Sequence, residues 1–306
     1  MDNIMMETEI MSQEDNELGY AIEVKDLTKK YDGFSLEQVT FSVPRGSIMG
    51  FIGQNGAGKT TTIKALLNVI KVDNGSIHLL GKDWLKQENE AKEDIAVVFD
   101  EIPFYETFTG IAVSKMFKGL YKNWSEETFF AYLDRFQVPK KKKIKDLSKG
   151  MKMKLQIATA LSHKAKLLIM DEATTGLDPV VRSEMLDMFR EYIQDENNSI
   201  LMSSHITSDL EKIADGVTFI DKGRLLLTGN KDEILERHGV IKCSLDDFKG
   251  IDKEDYISAR VSDYNVDVMV SDKVAARRKY NGMLLERTTL EEIMLFYVNR
   301  EKKEWS

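Results

Sequence analysis

An α/β fold built on a mainly parallel sheet is what this sequence predicts, and three observations carry the prediction. The apolar run 47–52 has the length of a buried strand; a glycine-rich segment follows it directly, and 61–70 then reads as a helix. A second apolar run, 166–170, ends in the acids Asp171 and Glu172, and a third, 200–202, delivers Ser203, Ser204 and His205. Strands that finish in polar groups, separated by helical stretches, belong to sheets that bind ligands at their carboxyl ends. An antiparallel β subdomain, a helical subdomain and a small C-terminal α/β appendage complete the expected architecture.

Bulk properties narrow the function. A chain of 306 residues with 42% hydrophobic content buries one large core, or one core and a small appendage, and the pattern favours the second. A net charge of −8 argues against a surface built as a whole for nucleic acid, so no nucleic-acid partner is expected. The single cysteine, Cys243, excludes an internal disulfide and has no metal-ligand spacing around it, which fits an unpaired thiol in a reducing compartment. No stretch approaches the roughly 18 consecutive apolar residues of a membrane span, and the first residues lack a signal-peptide pattern. The expectation is a soluble chain that needs another subunit's spans if it works at a membrane.

Taken in order, residues 1–19 are acidic, without basic residues or a sustained period, and read as a flexible tail. The β-like runs 21–27 and 38–43 start an antiparallel layer, with Tyr31 expected in the loop between them. An exposed ring there stacks on an adenine or is an ordinary loop tyrosine; the residues alone favour the ordinary reading. A turn at 73–75 precedes a strand at 76–80; 83–93 is helical by composition, and 95–99 is a buried strand ending at Asp100. Helical patterns at 110–120 and 126–138 then interrupt the alternation, defining a helical subdomain over about 101–163. Lys140, Lys141, Lys142 and Lys143 lack aromatic interleaving and read as a solvated face. A helix from 147 to about 163 carries Ser148 and Gly150 near its start, a position that caps a helix and also suits an anion. Asp178 is a good N-cap with Pro179 first in the helix, and Met185, Phe189, Tyr192 and Ile193 form its core stripe to about 197. A hairpin at 217–227, a helix at 231–237, strands at 257–261 and 266–270, and a helix opened by a Thr288/Glu291 capping box close the chain. The divisions are thus 1–19, 20–230 and 231–306, the last regulatory or dimerising.

The chemistry concentrates in Gly53, Gln54, Asn55, Gly56, Ala57, Gly58, Lys59 and Thr60, which satisfy every fixed position of the phosphate loop G-x-x-x-x-G-K-[ST]. Glycines let the backbone curl so that its N–H groups face phosphate oxygens, and the positive end of the following helix adds attraction. Lys59 is placed to reach β- and γ-phosphates and the Thr60 hydroxyl to ligate Mg²⁺, with Thr61 a lesser contributor. Two acids at the end of 166–170 suggest a division of labour: Asp171 holds the Mg²⁺ shell, and Glu172 polarises or deprotonates the attacking water. His205, arriving at the same sheet edge, reads as a sensor of the γ-phosphate, whereas His78, His163 and His238 read as structural.

This ordered set resembles the ATP-binding subunit of an ABC transporter over about residues 20–230: an aromatic residue (Tyr31), a Walker A loop, the signature-like LSKGM at 147–151, a Walker B strand with its following acid, TGLD at 175–178 and His205. It is most similar to subunits of the ABC-2 exporter type, including the Thr289-Leu290-Glu291 of the last helix. The resemblance implies an ATPase using ATP and Mg²⁺ at the cytoplasmic face of the cell membrane, joined to a separate transmembrane permease subunit. It also implies a second ATPase subunit, in a homodimer or heterodimer, whose Ser148, Lys149, Gly150 and Met151 act in trans while Asp178 serves communication between subunits. ATP closes the pair and hydrolysis reopens it. Three positions depart from the family pattern: Asp100 stands where a Mg²⁺-touching glutamine is usual, leaving it an additional metal candidate, and Lys149 and Met151 stand where Gly and Gln are usual. The rival readings are a soluble ABC ATPase acting on nucleic acid or ribosomes, and a regulatory subunit without hydrolysis. Neither long coiled coil nor second ATPase domain is present for the first, and Lys59, Asp171, Glu172 and His205 speak against the second.

Overall fold

The computed structural model describes residues 19–84, 86 and 92–305. The acidic tail therefore lies outside the described residues except for Gly19, as does most of the helix expected over 83–93.

In chain order the first elements are β1 (Tyr20–Tyr31), β2 (Phe34–Pro44), β3 (Ile48–Ile52), α1 (Lys59–Leu66), β4 (Asn74–Leu79), β5 (Lys82–Asp83) and β6 (Ile95–Phe99). The middle of the chain forms α2 (Gly110–Leu120), α3 (Glu126–Arg135), α4 (Lys149–Leu161), β7 (Leu167–Asp171), α5 (Pro179–Tyr192) and β8 (Ser199–Ser204). Then come α6 (Thr207–Ile213), β9 (Gly216–Asp221), β10 (Arg224–Asn230), α7 (Lys231–Arg237), β11 (Gly239–Cys243) and α8 (Leu245–Phe248). The last are β12 (Ser258–Val261), β13 (Val266–Val270), α9 (Lys273–Lys279), β14 (Leu284–Glu286), α10 (Leu290–Val298) and β15 (Glu304–Trp305).

The central sheet has the order β10-β9-β3-β8-β7-β6. Its strands from β9 to β6 run parallel, and only β10 is antiparallel, at the edge. Every residue of β3, β7 and β8 is buried, which is why each carries a run of consecutive apolar residues rather than an alternation. Parallel pairing brings the carboxyl ends of β3, β8, β7 and β6 to one edge, and with them the phosphate loop, His205, Glu172 and Asp100.

An antiparallel sheet, β2-β1-β4-β5, packs on one face of the central sheet. Its Ile22, Val24, Leu36 and Ile77 share a core with Phe51, Leu201 and the α1 residues Ile63 and Leu66. β1 and β2 are longer than their sequence patterns because bulges at Asp26 and Gln38, both at φ 51°, break the alternation without ending the strands. Tyr31 consequently closes β1, opposite Phe34, rather than lying in a loop. The other face of the sheet carries the larger core, into which α4, α5 and the helical segment α2–α3 pack.

Helix starts follow their caps. Thr109, Ser125, Ser148 and Asp178 each accept backbone N–H bonds at the starts of α2 to α5. Ends come earlier than periodicity suggests: α1 stops at Leu66, with Asn68 at φ 53°, and α3 stops at Arg135, with Gln137 at φ 56°. α5 likewise ends at Tyr192 rather than near 197.

The C-terminal sheet has five strands, β14-β11-β13-β12-β15, where two were expected. Its closing helix corrects a register: the capping box is Thr289 with Glu292, one residue after Thr288/Glu291. That start buries Leu290, Ile293, Met294, Phe296 and Tyr297. These five belong to the same core as Ile48 and Leu210 of the central unit, so α10 fastens the appendage to it. Among the described residues, no helix is long and apolar enough to cross a membrane.

Candidate active site

The phosphate loop is shaped by three glycines with different reasons to be there. Gly56 and Gly58 lie at φ 82° and 117°, backbone that L side chains rarely adopt. At Gly53 the constraint is space, since a Cβ would meet the Ile220 carbonyl at 2.4 Å. The loop then enters α1 at Gly58 with no side-chain cap. A helix start leaves its first amides without intrahelical acceptors, so they are available to an anion. Gln54, Asn55, Gly56, Gly58, Lys59, Thr60 and Thr61 line a cleft of about 400 Å³, with Glu172 across it.

Lys59 is almost wholly buried at 5% exposure. Its ammonium donates to the carbonyls of Gly53 (2.7 Å) and Gln54 (3.2 Å) and lies 3.0 Å from Glu172 Oε1. The last contact is an ion pair that spans the cleft. Glu172 Oε2 is better served, accepting from the Thr175 hydroxyl at 2.8 Å and lying 2.7 Å from His205 Nδ1. Glu172 itself sits at φ 53°, an unusual backbone for an acid, and this turn carries its carboxylate off the end of β7. Burial pushes the Glu172 carboxyl up; the Thr175 hydroxyl, the Lys59 charge and His205 together outweigh it and hold the group below its ordinary value.

Ser203 organises the acids. Its hydroxyl donates to Asp171 Oδ1 at 2.6 Å and accepts from the Glu172 amide at 3.1 Å, and its carbonyl accepts from the same amide at 3.2 Å. Asp171 and Ser203 are direct partners in the β7–β8 register. Asp171 is 7% exposed, so its carboxylate is held in a fixed place. Among the described residues no group of three His, Cys, Asp or Glu side chains forms a metal cage. One fixed carboxylate and one hydroxyl at the loop, Thr60, suit instead a hard cation that keeps water and phosphate oxygens in its shell, as Mg²⁺ does.

Tyr31, half-exposed, lines a cavity of about 1080 Å³ with Phe34, Gly56 and Lys222. Because Phe34 and Gly56 line both cavities, this one opens beside the phosphate cleft. Lys29 Nζ stands 5.3 Å from the Tyr31 ring centroid. Ser148 caps α4 and is exposed; Gly150 faces Val181 of α5, whose cap Asp178 accepts from Val180 and Val181 at 3.1 Å. Residues 148–151 and Asp178 are thus gathered together, but not at the cleft that Lys59 lines. Asp100 forms an ion pair with Lys149 at 2.7 Å. His163 and His238 are buried among structural partners: His163 Nε2 lies 3.2 Å from the Ile95 carbonyl, and His238 Nε2 lies 2.9 Å from the Tyr297 hydroxyl.

Several participants escape a reading of motifs. Ser203 and Thr175 act through register and a turn, signalled only by polar residues beside an acid. Gly223 reads in the sequence as a hairpin-turn glycine, but nothing local signals its contact with the phosphate loop: its amide donates to the Ala57 carbonyl at 2.8 Å, and a Cβ would meet the Ser35 carbonyl at 1.7 Å.

Known proteins of similar sequence and fold identify the family. Residues 36–175 match the family model described as ABC transporter. The chain is 36% identical over 209 residues to the bacitracin transport ATP-binding protein BcrA of Bacillus licheniformis, covering 67% of this chain and 68% of that protein. It is 32% identical over 214 residues to the lantibiotic transport ATP-binding protein SrtF of Streptococcus pyogenes, covering 69% and 91%. Among solved structures, an ATP binding subunit of an ABC transporter superposes with a TM-score of 0.64 at 30% identity, covering 71% of this chain and 92% of its own. CbiO1 from Clostridium perfringens, part of the transporter complex cbiONQ, superposes with a TM-score of 0.62 at 27% identity, covering 71% and 91%. The chain belongs to the ABC transporter family, as one of its ATP-binding, ATP-hydrolysing subunits.

Proposed function

We propose that this chain powers an exporter from the cytoplasmic face of the membrane, bound to a separate permease subunit and paired with a second ATPase subunit of the same or a related kind. The transport named for BcrA and SrtF supports a transport role, and the resemblance to ABC-2 subunits supports export. In this reading residues 20–230 are the ATPase domain and 231–306 an appendage that regulates or dimerises. Tyr31 stacks on adenine, the loop 53–60 with Thr61 cradles the phosphates, and Ser148, Gly150 and Met151 face the nucleotide of the other subunit, with Asp178 between the two. Thr60 and Asp171 would hold Mg²⁺, and bound there the ion would neutralise charge on the phosphates.

The carrying observation is the position of Glu172, within 3.0 Å of both Lys59 and His205. A carboxylate held ionised can take a proton from water as the water oxygen bonds to the γ-phosphorus and the bond to the ADP oxygen breaks. His205 positions Glu172 and senses the transferred phosphate. Glu172→Gln keeps the shape and removes the base: ATP binding persists, turnover falls by roughly 10²- to 10⁴-fold, and an ATP-dependent dimer accumulates in size-exclusion chromatography with light scattering. Hydrolysis at the parent rate would defeat the assignment. Co-purification with a membrane-spanning subunit tests the transport reading independently.

A further inference from the structure

Two of the three positions that depart from the family pattern touch each other. Asp100, at the end of β6, and Lys149, the first residue of α4, form an ion pair at 2.7 Å. A second bond joins the same two elements. Gln156, 3% exposed on a helix face that also buries Met153 and Ile157, donates through Nε2 to the Phe99 carbonyl (3.0 Å) and accepts at Oε1 from the Phe99 amide (3.2 Å). β6 is the last strand of its sheet, so the backbone groups on its outer side are open to a side-chain amide, which pairs with them as a neighbouring strand would. Lys149 and Gln156 are seven residues apart, two helical turns, and therefore share a face of α4. Lys149 also runs over the TGLD segment: a Cβ on Gly176 would stand 3.1 Å from Nζ, and Gly176 takes φ 70°, so glycine both permits the turn and leaves the lysine its path.

We propose that Asp100, Lys149 and Gln156 form a clasp that positions the start of α4, with Ser148 and Gly150, against the end of β6. In this arrangement Asp100 is the lysine's partner rather than a Mg²⁺ ligand, and Lys149 is held in its own subunit rather than reaching the other's nucleotide. These are positioning residues. The inference rests on the reading that Ser148 and Gly150 complete the second subunit's site, and it says how that turn is tied to the edge where Glu172 and Lys59 lie. Both charged groups are nearly half exposed, so the pair adds little to stability and its effect lies in geometry.

The test is a double-mutant cycle on the full chain, reading kcat and KM for ATP across Mg²⁺ and salt concentrations. Asp100→Asn and Lys149→Met each lower kcat by about three- to tenfold with KM little changed and the melting curve unmoved, and the double variant is no worse than either single one. The exchanged pair, Asp100→Lys with Lys149→Asp, recovers most of the loss, and added salt lowers the parent rate toward the single variants. Multiplicative losses, failure of the exchanged pair to recover, or a raised Mg²⁺ requirement in Asp100→Asn with Lys149→Met silent would each overturn the clasp. Ser148→Ala, run beside them, separates the two levels. If it hydrolyses ATP like the parent, the reading of the signature turn falls; if it loses activity while the pair behaves independently, only the clasp falls.

Discussion

At the scale of single residues, Lys59 links the loop to the chemistry. It is buried, holds two carbonyls of its own loop and neutralises an acid across the cleft, so one side chain both keeps the loop curled and offsets the burial of Glu172. Because the lysine charge helps to hold Glu172 below its ordinary value, the acid stays ionised through the neutral range. The sign follows from linkage: a lowered folded-state value favours the fold above the unfolded carboxyl's value near 4.5, and that contribution fades as pH falls below it. Lys59→Ala removes the proposed phosphate contact and leaves Glu172 with one cation fewer. ATP affinity should drop by roughly 30-fold or more in an equilibrium titration, the scale of truncating one member of a buried charged contact. Tight binding in that variant would show that the backbone cradle suffices alone. The placement of Lys59, Asp171, Glu172 and His205 at one sheet edge was legible in the sequence because each stands at a fixed offset from a strand end. Ser203's role was not, since it depends on which strands are neighbours.

At the scale of elements, the same contrast separates what local pattern determines from what packing determines. Helix starts at 110, 126, 149 and 179 are written in their caps, whereas the bulged strands, the small strands β11, β14 and β15 and the one-residue shift of α10 are settled by partners distant in sequence. The β9–β10 hairpin is such a partner for the phosphate loop, through Gly223 N to Ala57 O and through the Ile220 carbonyl that leaves no room at Gly53. Two glycines offer a controlled comparison. Gly223 and Gly33 have similar backbones, φ 76° and 80°, but a Cβ at Gly223 meets a carbonyl at 1.7 Å while one at Gly33 meets nothing within 4 Å. Gly33→Ala should cost only the left-handed strain, about 1 kcal/mol. Gly223→Ala adds a backbone collision, so it should cost about 2–4 kcal/mol in denaturant unfolding and also weaken ATP binding several-fold as the Ala57 support shifts. Equal effects of the two substitutions would mean that the hairpin yields freely and does not brace the loop.

At the scale of the whole molecule, the position of α10 decides how the C-terminal sheet and the ATPase core respond to one another. The sheet has a core of its own, with Ile241, Val266, Val268 and Ala259, yet α10 places Leu290, Ile293 and Phe296 in the core that holds Ile48, Val217 and Leu210. The contact is reinforced at polar points: the Leu290 amide donates to Glu211 of α6 at 2.7 Å, and the Ser258 hydroxyl of β12 donates to the Phe296 carbonyl at 2.7 Å. A helix bonded on both sides couples two units that would otherwise open separately. Phe296, 1% exposed, is the point to cut. Phe296→Ala should cost about 3–5 kcal/mol through lost burial and the cavity left behind. If the coupling is as tight as the packing indicates, calorimetry will show one transition lowered by roughly 5–10 °C, and ATP will protect the variant along its whole length in hydrogen exchange. Separate melting, with only residues 239–305 shifted and the nucleotide site untouched, would mean that the appendage is carried by the ATPase without being part of its folding unit.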